Sequence, residues 1–348
     1  MSKLKRLVLF VAALFAPSLA LAHEVYVLPP DVIAQALTKP GLPLFAVIAE
    51  NRGQFFFWTF ISIWAFFTVL SISLSKSVER AIDPFLQRLK PYAPLVARMT
   101  LGIAIMASAY ENALFGPELP LFSHSVGDGV AMLRFVLMIL GALITAGLFT
   151  RVSSIMLMLV YAVLTVQHGW YVLTYANYLG EMITVLVVGN ASFALDLVYH
   201  DLYPHHIHRF VRWFQAHAFL ILRVSFGISL IYASVFAKLI HAELALQVVQ
   251  IYHLTDFFPF QPQFVVLGAF CIELLLGLFF ILGIEVRFAS LFLLFWLTLS
   301  LLYFKESVWP HIVLAGVGLA IFMHGYDRHT IQWGLLRMRN AWAHEPTL

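Results

Sequence analysis

The sequence predicts an all-α, polytopic membrane protein, and three observations carry that prediction. Of the 348 residues, 61% are hydrophobic and only 11% charged, with a mean hydropathy of +0.89, outside the range of soluble globular domains. The apolar residues fall in runs of about 20, the length that crosses a bilayer as a helix. Such runs are helices because backbone groups in lipid need partners within their own segment. The lysines and arginines lie mostly between the runs, where they orient a membrane protein. The net charge of +3 therefore says nothing of nucleic acid. A single cysteine, Cys271, excludes an internal disulfide and a CxxC redox couple.

Taken in order, Lys3, Lys5 and Arg6 precede the apolar run Leu7 to Phe15, and Ala20-Leu21-Ala22 supplies a small-residue cleavage pattern. Residues 1–22 therefore read as a signal peptide, with an uncleaved anchor as the alternative. Processing leaves His23 at the head of an exported segment, residues 23–54, in which Pro29-Pro30-Asp31 opens a short helix. Phe55 to Ser75 is a first span, and Lys76, Arg80, Arg88 and Lys90 assign the connection up to residue 92 to the cytoplasm.

Two groups of four spans follow. The first unit, residues 93–198, has spans near Pro94 to Leu114, Val130 to Phe149, Val152 to Trp170 and Leu179 to Val198. The second, residues 218–327, has spans near Phe219 to Leu239, Phe264 to Ile284, Phe288 to Phe304 and Trp309 to Gly325. Between them, residues 199–217 form a cytoplasmic linker with His200, His205, His206, His208 and His217. That linker reads as a metal tract or as an interfacial helix carrying Phe210, Val211, Trp213 and Phe214. The tail, residues 328–348, reads as a second amphipathic segment. Threading about nine spans from an outside start puts Arg151, Arg209, Arg212, Arg287, Arg328, Arg337 and Arg339 inside. The expected setting is a bacterial-type inner membrane, mature N-terminus periplasmic and C-terminus cytoplasmic.

The two units share landmarks. Gly141 to Arg151 reads GALITAGLFTR and Gly277 to Arg287 reads GLFFILGIEVR, with two glycines and a closing arginine at equal spacing. Ser154 and Ser290 follow at the same distance. Arg98-Met-Thr-Leu-Gly102 answers Arg223-Val-Ser-Phe-Gly227, and FALD ending at Asp196 answers MHGYD ending at Asp327. This is a duplication, and an even number of spans per unit makes the repeats parallel, around an axis along the membrane normal. Gly102, Ala104, Ala107 and Ser108, with Gly141, Ala142 and Gly147, permit close helix approach.

With these landmarks in place, each unit resembles the four-helix DoxX family: arginine and glycine opening the first helix, a glycine-rich second helix closing on arginine, an aspartate after the fourth. The start of the mature chain, Ala22-His23-Glu24-Val25-Tyr26, resembles that of some exported members. The resemblance implies a membrane-embedded accessory or binding subunit of a periplasm-facing, quinone-linked redox system, with a redox partner protein. The chain departs from the pattern where Glu111-Asn112 ends the first helix of the first unit, while the second unit keeps Lys238.

Ionisable side chains within spans cost a few kcal/mol on insertion scales, so each is a functional candidate. At 1.5 Å per residue, Glu111 lies roughly 20 Å from Arg98 and Lys238 roughly 22 Å from Arg223 along their helices. Arg134, His168, Glu181 and His311 also fall at outer helix ends, and Glu273 lies near the middle of its span. The result is a cup open to the periplasm, with Glu273 expected to pair with Lys238 and Glu111 with Arg134. These pairs either fix helix register or form a proton or ligand site.

His23, His124, His168, His241, His253 and His311 can all face the periplasm, and a free amine with the His23 imidazole suits Cu(II). A copper-handling protein is thus one alternative function, and a small-solute transporter another. The segment Tyr252 to Phe260, over the Lys238 and Glu273 region, reads as a lid or as outer packing. The sequence holds no Gly-rich phosphate loop, nucleophile elbow, Ser-His-Asp order or zinc protease signature, so no catalytic residue is assigned.

Overall fold

The computed structural model describes residues 27–121, 128–188, 214–256, 260–331 and 334. The expected signal peptide, His23, His124 and nearly all of the His-rich linker and the tail lie outside the described residues. The described chain is a helical bundle with one short antiparallel hairpin. Its helices are α1 Pro30–Ala36, α2 Leu44–Asn51, α3 Phe55–Leu89, α4 Ala93–Tyr110, α5 Asp128–Ala146, α6 Thr150–His168 and α7 Ala176–Val188. The order continues with α8 Ala218–Val235, α9 Ala242–Ile251, α10 Pro262–Leu282, α11 Val286–Phe304 and α12 Ile312–His324. The hairpin pairs β1 Ala113–Leu114 with β2 Gly116–Pro120.

Among the described residues, six helical runs are long and apolar enough to cross a membrane: Ile82–Tyr110, Gly129–Ala146, Thr150–Val188, Ala218–Ile240, Pro262–Leu282 and Val286–Phe304. Their outward side chains are large and apolar, with Met132 70%, Phe135 65%, Phe295 64% and Leu302 74% exposed. A soluble fold does not present a belt of this kind, and the chain is a multi-pass membrane protein in a lipid environment. The 39-residue run Thr150–Val188 folds back on itself at a 3-10 turn, Gly169–Tyr175. Gly169, at φ 60°, starts the reversal, and the Tyr161 hydroxyl donates to the Val172 carbonyl at 2.8 Å.

Two elbows set the packing. After α5, Gly147 takes φ 72° and Phe149 φ 50°; after α10, Gly283 takes φ 70° and Glu285 φ 47°. In both, the amide between the two positive-φ residues reaches back five residues, Leu148 N to Leu143 O at 2.9 Å and Ile284 N to Phe279 O at 3.0 Å. This closes the helix with a left-handed cap. The same helices cross their partners at glycine. A Cβ on Gly102 would meet the Gly141 carbonyl at 2.6 Å, and one on Gly227 the Gly277 carbonyl at 2.5 Å. The backbones of α4 and α5, and of α8 and α10, therefore touch where only glycine fits.

The extra helix differs from expectation. α3 runs unbroken for 35 residues, so the connection expected after Ser75 is helical as far as Leu89. Hydropathy marks where lipid ends, and the helix continues because its charged residues tolerate helix as well as its apolar ones do. Arg287 Nη1 pairs with Asp83 Oδ1 on α3 at 2.8 Å, so the second elbow's arginine fastens this helix to the bundle. Arg223 donates to the Phe280 and Ile281 carbonyls at the end of α10 and to His329 O, and Asp327 accepts from the His329 amide at 2.9 Å. The elbow end of the bundle thus holds Arg223 seated on the carbonyls that end α10, where a cation is favoured, and Arg287 paired with Asp83.

A cavity and two acid–base contacts

The opposite end of the bundle holds the candidate site. α8 does not stop cleanly: Phe236–Ile240 forms one π turn, with the His241 amide donating to Phe236 O at 2.9 Å. Such turns are rare and concentrate at functional positions. This one carries Lys238, whose Nζ lies 2.9 Å from Glu273 Oε2 on α10, the two side chains 9% and 29% exposed. The structure thus brings together two residues singled out by their place in apolar spans.

A second pair stands across from the first. α11 ends at Lys305, which has φ 55°, and the next residue, Glu306, turns back toward the bundle. Its Oε2 lies 2.9 Å from His311 Nε2, and its Oε1 accepts from the Ser300 hydroxyl at 2.6 Å. Glu306 and His311 are 6% and 4% exposed. Both pairs line one cavity of about 210 Å³. Apart from Ser300, the rest of its wall is apolar, including Leu230, Val248, Leu276, Leu293, Leu297 and Phe304. Trp296, 40% exposed, also lines it, so the cavity extends to the lipid-facing wall of the bundle.

The expected exported segment forms its roof. Val27 lines the cavity, and Leu28, Ile33 and Ala36 pack on Leu244 and Val248 of α9. Leu42 N donates to Leu239 O at 2.8 Å beside the π turn. Tyr252, at the end of α9, joins this roof through its hydroxyl to Val27 O at 3.3 Å. Phe257 to Pro259, in the segment expected as a lid, lie outside the described residues.

The other candidates sit elsewhere. Glu111 and Arg134 form no ion pair: Glu111 is exposed, and Arg134 lies over the Tyr110 ring, 5.9 Å from its centroid. The reason is local. α4 ends at Tyr110, and Asn112 at φ 56° turns the chain into the hairpin, leaving Glu111 at the corner. Glu181 is not at an outer end but fully buried between helices, its Oε1 accepting from the Thr100 hydroxyl at 3.1 Å. His241 packs on Phe236, ring centroids 4.6 Å apart, and burial holds its imidazole below the usual range. His253 is exposed at φ 49°, and His168 is the last residue of α6. Among the described residues no three histidine, cysteine or acidic side chains converge to hold a metal.

Sequence reasoning missed two groups. Glu306 stands five residues before His311, a weak signal that an acid was within reach. Glu118, between Pro117 and Pro120 in the hairpin, had no signal at all, since its partners come from residues more than fifty positions away. Its Oε1 accepts from the Tyr171 hydroxyl at 3.0 Å and from the Tyr175 hydroxyl. Burial pushes this carboxyl up to about 7, against the pull of the two tyrosines. The hairpin around it is sunk into the first half, with Phe115, Leu119 and Leu121 at 2%, 1% and 0% exposure. No protein-family model, curated protein or solved structure matches this chain.

Proposed function

We propose that the chain is a tandem, DoxX-like inner-membrane protein whose second half binds a small amphipathic redox ligand of the quinone class, as a subunit of a periplasm-facing system. One observation carries the reading: a lipid-reaching apolar cavity with Lys238–Glu273 and Glu306–His311 on its wall, each pair 2.9 Å apart. Pockets of about 300–1,000 Å³ hold drug-sized ligands, so about 210 Å³ suits a ring or headgroup with its tail left in lipid. The residues fit a quinone headgroup: apolar walls take the ring, and the Lys238 ammonium is a donor for a carbonyl oxygen. A quinone supplies the electron-accepting chemistry when bound; the chain supplies position, a dry wall and fixed charge.

The repeat, the count of about nine spans and the orientation belong to the same proposal. The matching elbows and glycine crossings support a duplication. The arginines clustered at the elbow end support a cytoplasmic assignment of that end, which leaves the cavity on the exported side.

Mild purification, followed by mass spectrometry of co-purifying quinones, metals and proteins, tests the reading. A titration with a short-chain quinone, followed by tryptophan fluorescence, then locates the ligand. The expected result is saturable quenching that is largely lost in Trp296→Phe and weakened in Glu273→Gln. Non-saturable quenching, or a Glu273→Gln variant that binds normally and only melts earlier, leaves the pairs a purely structural role.

A further inference from the structure

Glu181 lies outside the cavity, and the reading above does not use it. It sits on α7, 0% exposed, inside a candidate span. The Thr100 hydroxyl of α4 lies 3.1 Å from the Oε1 of Glu181 and 2.8 Å from the Val96 carbonyl, so the one hydroxyl proton is shared between them. Its Oε2 is buried with no hydrogen-bond partner. The surroundings are close-packed: a Cβ on Gly316 of α12 would lie 2.1 Å from Thr100 Oγ1, and one on Gly180 would lie 2.5 Å from Ser225 Cβ of α8. α4, α6, α8 and α12 all pack on α7, so the helix that carries this carboxyl is enclosed by both halves of the bundle.

The charged and titratable neighbours do not neutralise it. Among the described residues no ion pair reaches Glu181. Arg98, the buried cation of α4, lies about 200° around that helix from Thr100 and is not paired with it. From its own helix the titratable neighbour is Tyr178, whose hydroxyl donates to Phe115 O at 3.0 Å. From α8, Ser225 packs on Gly180, and the cation of that helix, Arg223, is seated on the Phe280, Ile281 and His329 carbonyls; from α12, Gly316 packs on Thr100. A carboxylate taken from water with one neutral donor costs several kcal/mol even after relaxation, and in that position the group neutralises by taking up a proton.

We propose that Glu181 is a proton-binding site at the centre of the bundle, a neutral carboxylic acid at neutral pH. Releasing its proton requires water or a cation to enter where α4, α7, α8 and α12 meet. Proton occupancy at Glu181 thus holds the two halves together, and proton release loosens α4 from α12.

Infrared difference spectroscopy on the full chain in lipid vesicles reads this directly. At neutral pH, the difference between wild type and Glu181→Gln should show loss of one carboxylic acid carbonyl band. Thr100→Val should leave that band in place and move it to higher frequency, because the carbonyl loses its donor. Glu118→Gln should leave it unmoved, which separates the two buried acids. The proposal is overturned if Glu181→Gln removes only carboxylate bands. Where Glu181→Gln does not fold, the absence of any acid carbonyl band in Glu118→Gln at neutral pH overturns it equally.

Discussion

Breaking the Lys238–Glu273 pair should cost unequal amounts from its two sides. At 2.9 Å and an effective dielectric of about 20, the gross attraction is about 6 kcal/mol, most of it offset by desolvation. Removing one partner of a buried pair typically costs about 3–5 kcal/mol, because the other charge is left alone. Lys238 is the more buried, 9% against 29% for Glu273. Glu273→Gln removes the carboxylate from beside the more buried ammonium, and should cost about 3 kcal/mol. Lys238→Met removes the ammonium from beside a carboxylate that lines the cavity and is the more exposed of the two, and should cost about 1–2 kcal/mol. The double variant should recover most of the loss. Thermal unfolding in mild detergent, followed by intrinsic tryptophan fluorescence, reads these as falls in Tm of about 5–10 °C for Glu273→Gln and less for Lys238→Met. Simple additivity in the double variant, or equal Tm falls in the two singles, would refute the reasoning.

Three further outcomes follow from the same structure. Gly227→Ala and Gly102→Ala should each lower Tm sharply, since the added carbon meets a carbonyl at 2.5 or 2.6 Å; wild-type melting in either variant would mean that the helix crossings relax freely. Because the Glu118 carboxyl is raised from 4.5 to about 7 in the folded protein, its stabilisation is full below the unfolded value and is lost as pH rises through about 7. That loss is about 3 kcal/mol at about 1.4 kcal/mol per pH unit, and Glu118→Gln should flatten a Tm profile measured across that window. Asp83→Asn should cost only about 1 kcal/mol, as for exposed pairs, because Asp83 is 42% exposed; cross-linking between α3 and α11 should fall while the Tm stays close to wild type.

What the sequence made legible is what local chemistry dictates. Gly147 and Gly283 mark the elbows because the left-handed cap there admits glycine without strain. Lys238 and Glu273 stood out because a charge in an apolar run must find a partner. Glu118 and Glu306 did not stand out, since both lie between spans, where acids are ordinary, and their burial depends on tyrosines and a histidine brought in by the fold. Glu181 reads as an outer-end residue because the apolar run in the sequence is counted from Leu179, whereas α7 already begins at Ala176, and its burial depends on helices brought in by the fold.

The two halves share their elbows and crossings and differ at the opposite end, and the difference decides which half can bind. After α4, Asn112 turns the chain inward, and Phe115, Leu119 and Leu121 fill the first half. After α8, the π turn and α9 send the chain outward, and the space that a hairpin would take is left as a cavity under α1. A buried hairpin closes its space with side chains that cannot leave without exposing apolar surface. A cavity roofed by short helices at the margin of the bundle can open at lower cost, since regions with few buried contacts are the ones that open locally. On the proposed reading, ligand exchange therefore belongs to the second half, and the first half, with Glu118 sealed under its plug, is the frame against which α8 and α12 are held.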